Sequence, residues 1–187
     1  MNSTVSTTKK QMPVKTIAVI GVITAITCIL APLSVPIGEV PISLTNLVIY
    51  FGLYILGTRR ETISYIVYLL IGLVGVPVFA SFTAGPAKLF GPTGGYLIGF
   101  VPMAVIAGIF IEKSGRKFIA GMAGMILGTA VCYALGTVWF VIVMKTPVQA
   151  ALATCVYPFI VFDVIKMALA ALIGPQIHGR LVQANLI

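Results

Sequence analysis

The chain has 187 residues, of which 59% are hydrophobic and 9% charged, with a mean hydropathy of +1.12. A soluble domain carries about 25% charged residues, so too little polar surface exists here to face water, and the solvent must be lipid. The formal net charge of +8 would suggest nucleic acid in a soluble protein. Here the charges flank apolar segments, which a membrane explains and nucleic acid does not.

Met1 to Gln11 is polar and reads as a disordered tail. Lys9, Lys10 and Lys15 then precede an uncharged run from Thr16 to Gly38. That run is long for the apolar region of a signal peptide, so it reads as an uncleaved first helix. At about 20 residues per span, the charges and prolines divide the chain into six helices: 16–33, 42–57, 62–80, 94–111, 118–143 and 149–174. Residues 1–15 form a cytoplasmic segment, and 16–187 a single all-α domain of six transmembrane helices. With the N-terminus inside, nine basic residues fall on the cytoplasmic side: Lys9, Lys10, Lys15, Arg59, Arg60, Lys113, Arg116, Lys117 and Arg180. Only Lys88 and Lys145 fall outside, and Lys166 lies within a span. This asymmetry places both termini in the cytoplasm.

On the first helix Ala18, Gly21 and Ala25 recur at helical spacing, and Gly21/Ala25 form a small-xxx-small pair. Such a pair admits close approach by another helix, of the same chain or of a separate subunit. At the start of the second helix, Ser43, Thr45 and Asn46 bring hydroxyl and amide groups to the outer surface. One of them suffices as a cap; Asn46, a turn inside, is a candidate ligand contact. Phe79, Phe82, Tyr96 and Tyr157 lie near the same surface, as an interfacial belt or as pocket walls.

The segment Gly91-Pro92-Thr93-Gly94-Gly95-Tyr96-Leu97-Ile98-Gly99-Phe100 combines four glycines with a helix start near Thr93. Exposed N–H groups there can hold an anion. It has no GK[ST] and is not a nucleotide loop. Cys28, Cys132 and Cys155 are scattered through apolar stretches without metal-ligand spacing.

Asp163 and Lys166 stand in the sixth helix at i,i+3, on one face. Charges at membrane depth cost several kcal/mol unless paired or facing a cavity, and they mark functional sites. The alternative is a structural ion pair. Only four acidic residues exist in the chain, and Asp163 alone lies deep in a span. Asp accepts from ureido or amide N–H; Lys donates to a carboxylate or carbonyl. All these features gather at the outer ends of helices, so a pocket open to the exterior is the economical arrangement.

The run Gly75-Val76-Pro77-Val78-Phe79-Ala80, the Gly91–Phe100 segment and the Asp163/Lys166 pair resemble the BioY family, the biotin-capturing S components of energy-coupling factor (ECF) transporters. The resemblance spans nearly the whole chain and implies biotin capture from outside at the prokaryotic plasma membrane. It implies association with a transmembrane coupling subunit and two cytoplasmic ATPases, with no resident cofactor. It also implies that Ala18, Gly21 and Ala25 contact the coupling subunit. The family's PITLQT approach to the second helix reads Pro41-Ile42-Ser43-Leu44-Thr45-Asn46 here, with Thr45 at the position of the family's Gln. Asp163 suits the ureido N–H groups, and Lys166 suits the ureido carbonyl or neutralises Asp163. The carboxylate is left to the Thr93–Gly94 helix start, Ser81 and Lys88, with Phe79, Tyr96 and Tyr157 as apolar walls. Other readings are an S component for another small vitamin and a stand-alone secondary transporter, though no internal repeat is visible. An intramembrane enzyme has little support: the single histidine, His178, lies near the cytoplasmic tail.

Overall fold

A computed structural model describes residues 14–35 and 40–187. The expected N-terminal segment 1–15, with Lys9 and Lys10, therefore lies almost wholly outside the described residues, as does the expected proline stop at Pro36. Helix α1 runs Val14–Leu30, ending short of the expected residue 33 because Pro32 follows and cannot extend the ladder. A two-residue hairpin comes next, β1 (Ser34–Val35) paired antiparallel with β2 (Ile42–Ser43). The expected helix from residue 42 is thus a strand first. Helix α2 occupies Thr45–Leu56, where Ser43 Oγ accepts from the Thr45 amide at 3.4 Å.

A single residue, Gly57, joins α2 to α3 (Thr58–Leu73). Its φ of +81° suits glycine. The charged triplet Arg59-Arg60-Glu61, expected to interrupt the helices, lies inside the first turn of α3. Glu112 makes this possible: its carboxylate accepts from the Thr58 amide at 2.9 Å and the Thr58 hydroxyl at 2.8 Å. From the other side Arg116 Nε donates to Tyr54 O at 3.0 Å, satisfying a carbonyl at the end of α2. Helix α3 stops at Leu73, not at 80, because Gly75 (φ +110°) and Pro77 turn the chain.

Residues 79–93 form the outer loop, with a 3-10 turn at Ala80–Phe82 and the short α4 (Pro86–Leu89). Helices α5 (Gly94–Lys113) and α6 (Phe118–Met144) follow. The last span is two helices, α7 (Val148–Cys155) and α8 (Tyr157–Gln183), broken at Val156. Pro158 supplies no N–H to carry the ladder across. Helix α8 then passes Pro175 and ends well beyond the expected residue 174. Lys15 Nζ donates to Asn185 O at 3.4 Å, so the start of α1 and the end of α8 share one end of the bundle. The helical spans α1, α2, α3, α5, α6 and α7–α8 give the six-helix membrane fold expected from the sequence.

The tightest packing is between α5 and α6. Gly124, Gly128, Cys132 and Gly136 recur every fourth residue along one buried face of α6. A Cβ on Gly128 would lie 2.7 Å from Met103 O, and one on Gly99 would lie 3.1 Å from Cys132 Sγ. This is close helix approach through small residues. The core beside it is rich in tyrosine, and most of the hydroxyls are paired, among them Tyr50 with Thr129 Oγ1 at 2.6 Å, Tyr65 to Leu97 O at 2.9 Å and Tyr68 to Val78 O at 3.1 Å, whereas the buried Tyr54 hydroxyl has no partner among the described residues. In a lipid-solvated protein such pairing replaces hydration.

Helix α1 sorts its side chains cleanly. Thr16, Ile20, Ile23, Thr24 and Thr27 are buried against the bundle. Ala18, Gly21 and Ala25 are exposed, and nothing lies within 4 Å of a Cβ placed on Gly21. Among the described residues, these small side chains face away from the bundle.

Candidate binding site

The outer halves of α2, α5, α6 and α8 enclose a cavity roofed by the hairpin and the loop around Ala80 and Lys88. About 70 Å³ is open to the centres of water-sized atoms. Its floor is the charged pair. Asp163 and Lys166 are 5% and 8% exposed, and their nearest N–O distance is 3.2 Å. Asn46 joins them across the bundle: its Nδ2 donates to Asp163 Oδ1 at 2.7 Å, and its Oδ1 accepts from Lys166 Nζ at 2.9 Å. Lys166 also donates to Ser43 O at 2.8 Å, so all three ammonium hydrogens are used. Tyr133 donates to Asp163 Oδ2 at 2.5 Å.

Three hydrogen bonds to a carboxylate with about four acceptor positions leave one position on Oδ2. That position is the strongest acceptor the cavity offers. Thr93 sits across the cavity at the start of α5. Its hydroxyl is buried and has no hydrogen-bond partner. Lys88 is half-buried at the loop, and burial lowers the pKa of its amine below the ordinary lysine value. Tyr96, Phe100 and Phe159 supply apolar wall, with Thr45 beside Asn46. The cavity lining thus combines an anionic acceptor, a cation and aromatic surface.

Of the residues singled out in the sequence, Thr45, Asn46, Lys88, Thr93, Tyr96, Asp163 and Lys166 line this cavity. Four do not. Phe79 is fully buried beneath the loop, edge-on to Tyr68 with centroids 5.6 Å apart. Ser81 is turned aside by a φ of 60° and tied to β1: its amide donates to Ser34 Oγ at 2.9 Å, and the two hydroxyls are 3.0 Å apart. Gly94 packs against the Leu89 carbonyl, leaving no room for a Cβ. Tyr157 is 62% exposed on the outside of the bundle.

Phe100, Tyr133 and Phe159 were not singled out. Phe159 is four residues before Asp163, and Phe100 four after Tyr96, so each shares a helix face with a chosen residue. Tyr133 carries a hydroxyl into the middle of an uncharged helix, which calls for a partner across the bundle. His178 stands at the far end, with Nδ1 3.2 Å from Ile55 O. As the carbonyl only accepts, Nδ1 carries the proton.

A profile of the BioY family matches residues 3–183. "Biotin transporter BioY" of Thermotoga maritima is 37% identical over 154 residues, 82% of this chain and 90% of that protein. "Biotin transporter BioY2" of Lactococcus lactis is 32% identical, covering 86% of this chain and 88% of its own. "Probable biotin transporter BioY" of Pyrococcus horikoshii is 33% identical, covering 90% and 99%. Among solved structures, the S-component for biotin from an ECF-type ABC transporter superposes with a TM-score of 0.82 at 28% identity, covering 90% of this chain and 95% of the other. A match over nearly the full length, in sequence and in fold, places the chain: it belongs to the BioY family.

Proposed function

We propose that this chain is the substrate-capture subunit of a biotin uptake transporter, taking biotin from the outer side of the membrane. It is a transport subunit, not an enzyme. The observation that carries this reading is the Asp163–Lys166–Asn46 network on the floor of the cavity. Biotin's ureido group presents two N–H donors and one carbonyl. The open acceptor position on Asp163 Oδ2 suits a ureido N–H. The bicycle then runs along Tyr96, Phe100 and Phe159. The carboxylate is left at the mouth, with Lys88, the Thr93 hydroxyl and the start of α5 as its partners.

In the same reading residues 16–187 act as one domain behind a short cytoplasmic segment, in the plasma membrane of a prokaryote. The outward Ala18–Gly21–Ala25 face docks a transmembrane coupling subunit that carries two cytoplasmic ATPases. The chain itself has no nucleotide loop and needs no resident cofactor; biotin is its substrate. The test is a mass spectrum of small molecules extracted from protein purified in detergent, followed by titration of ligand-free protein. Biotin should be recovered in near-stoichiometric amount, and biotin should bind more tightly than a ureido-alkylated analogue. Recovery of another vitamin, or equal affinity for the analogue, would overturn the reading.

A further inference from the structure

Glu61 is fully buried, and among the described residues neither of its carboxyl oxygens has a hydrogen-bond partner. It lies in the first turn of α3, just past the one-residue joint with α2. Its seat is Gly52 of α2: a Cβ there would overlap Glu61 Oε2 and lie 2.8 Å from Oε1. The chain has four acidic residues. Glu39 lies outside the described residues, and the other two are engaged. Asp163 pairs with Lys166. Glu112 accepts from the Thr58 amide, which is the capping role that a carboxylate near a helix start otherwise fills. Among the described residues, Glu61 is therefore neither a cap nor half of an ion pair.

The ionisable side chains on the helices packed against α3 are spent or stand elsewhere. On α2, Tyr50 pairs with Thr129, and the Tyr54 hydroxyl lies against Gly121 of α6. On α5, Tyr96 pairs with Thr137, Glu112 holds Thr58, and Lys113 is exposed. On α1, Lys15 reaches Asn185 O, and Cys28 stands a turn beyond Thr24, which meets Ser64. On α3 itself, Tyr65 and Tyr68 donate to carbonyls, Arg59 is exposed, and Arg60 is half-buried without an ion pair to Glu61. An ionised Glu61 would be a buried charge with no counter-charge and no donor, which burial penalises heavily. The neutral acid leaves only dipolar groups unpaired, at far smaller cost. We propose that Glu61 is a proton-binding site: it packs on Gly52 as the neutral acid, so closing the α2–α3 contact takes up one proton and opening it releases one. The exchange is with water at the cytoplasmic end of the bundle, where Arg59 is exposed.

The test is infrared spectroscopy of the full chain in detergent at about pH 8, where an ordinary glutamate is ionised. A carboxylic-acid C=O band should be present in the parent and absent from Glu61→Gln and Glu61→Met. Both variants keep the length of the side chain without its acid, so failure of one to fold leaves the other. The thermal midpoint gives a second readout. Glu61 ionises in the unfolded chain above its ordinary value of about 4.3, while the fold keeps it neutral. The stability of the parent is therefore fully present below that pH and is lost as pH rises. Relative to the variants, its midpoint should fall by roughly 3–5 °C per pH unit between about pH 5 and about pH 8. Neither readout involves biotin. Absence of the acid band from the parent, survival of the band in both variants, or parallel midpoints across that range overturns the proposal.

Discussion

Asn46 and Asp163 are 117 residues apart in sequence and 2.7 Å apart in the bundle, joined by a hydrogen bond from the amide to the carboxylate. The bond fixes how α2 and α8 meet at the cavity floor, and it orients the carboxylate before any ligand arrives. With Lys166 drawn onto both partners, the polar groups are spent on one another except for the acceptor position that faces the cavity. Such a prearranged floor costs little reorganisation on binding.

The first prediction follows from that position. Asp163→Asn removes a charge-assisted bond to a ligand N–H, worth about 1.5–3 kcal/mol, or roughly ten- to a hundredfold in biotin affinity. It also leaves the Lys166 ammonium without its counter-charge, so part of the loss is structural. Lys166→Met, which removes the other charge, should also weaken binding. Titration calorimetry on folded, detergent-solubilised variants measures both. Unchanged affinity in the two variants would make the pair architectural and put the ligand elsewhere.

The pair was legible in the sequence because its cost is local: two charges in a lipid-solvated helix need a reason wherever the chain goes. Other residues lie off the cavity where tertiary geometry decided. Ser81 looked like a loop hydroxyl beside the pocket, but its partner, Ser34, is 47 residues away and turns it aside. Tyr157 and Phe159 are two residues apart on opposite sides of α8, and the break at Val156 sets the phase; periodicity across an unbroken span could not reveal it. The glycine stripe of α6 has small-xxx-small spacing, which does not say which helix it meets.

The second prediction concerns the mouth. Lys88→Gln should weaken biotin by about two- to fivefold, the range of a partly exposed ion pair, and leave the affinity for biotin methyl ester unchanged. Because burial holds the Lys88 pKa below its ordinary value, its charge is present at low pH and lost as pH rises through that lowered pKa. Biotin affinity should therefore begin to fall at a pH below that expected of an ordinary lysine. Lys88→Arg, which stays charged, should remove the alkaline fall. An equal loss for acid and ester in Lys88→Gln would show that the carboxylate lies elsewhere.

The third prediction contrasts two glycines. A methyl group on Gly128 meets the backbone oxygen of Met103 at 2.7 Å, which yields only if α5 and α6 separate. Gly128→Ala should cost about 1–3 kcal/mol by overpacking and lower the thermal midpoint in detergent. Gly21→Ala meets nothing within 4 Å and should be neutral or stabilising by up to about 1 kcal/mol through helix propensity. Equal midpoints for the two variants would contradict the close approach of α5 and α6.

The last prediction follows from the outward face of α1. Ala18, Gly21 and Ala25 are exposed, while the buried face of the helix is built from Thr16, Ile20, Ile23, Thr24 and Thr27. A large side chain at Gly21 or Ala25 therefore leaves the bundle undisturbed but stands in the way of any helix approaching from outside, where close contact requires small side chains. Gly21→Leu and Ala25→Leu should keep biotin affinity and thermal midpoint near those of the parent chain. The same variants should reduce the amount of coupling subunit and ATPases recovered with the tagged chain after co-expression. Transport into vesicles carrying the whole complex should fall in proportion. Lost biotin binding with unchanged recovery of the complex would assign these residues to the fold of this chain instead, and the docking surface would have to be sought on another helix.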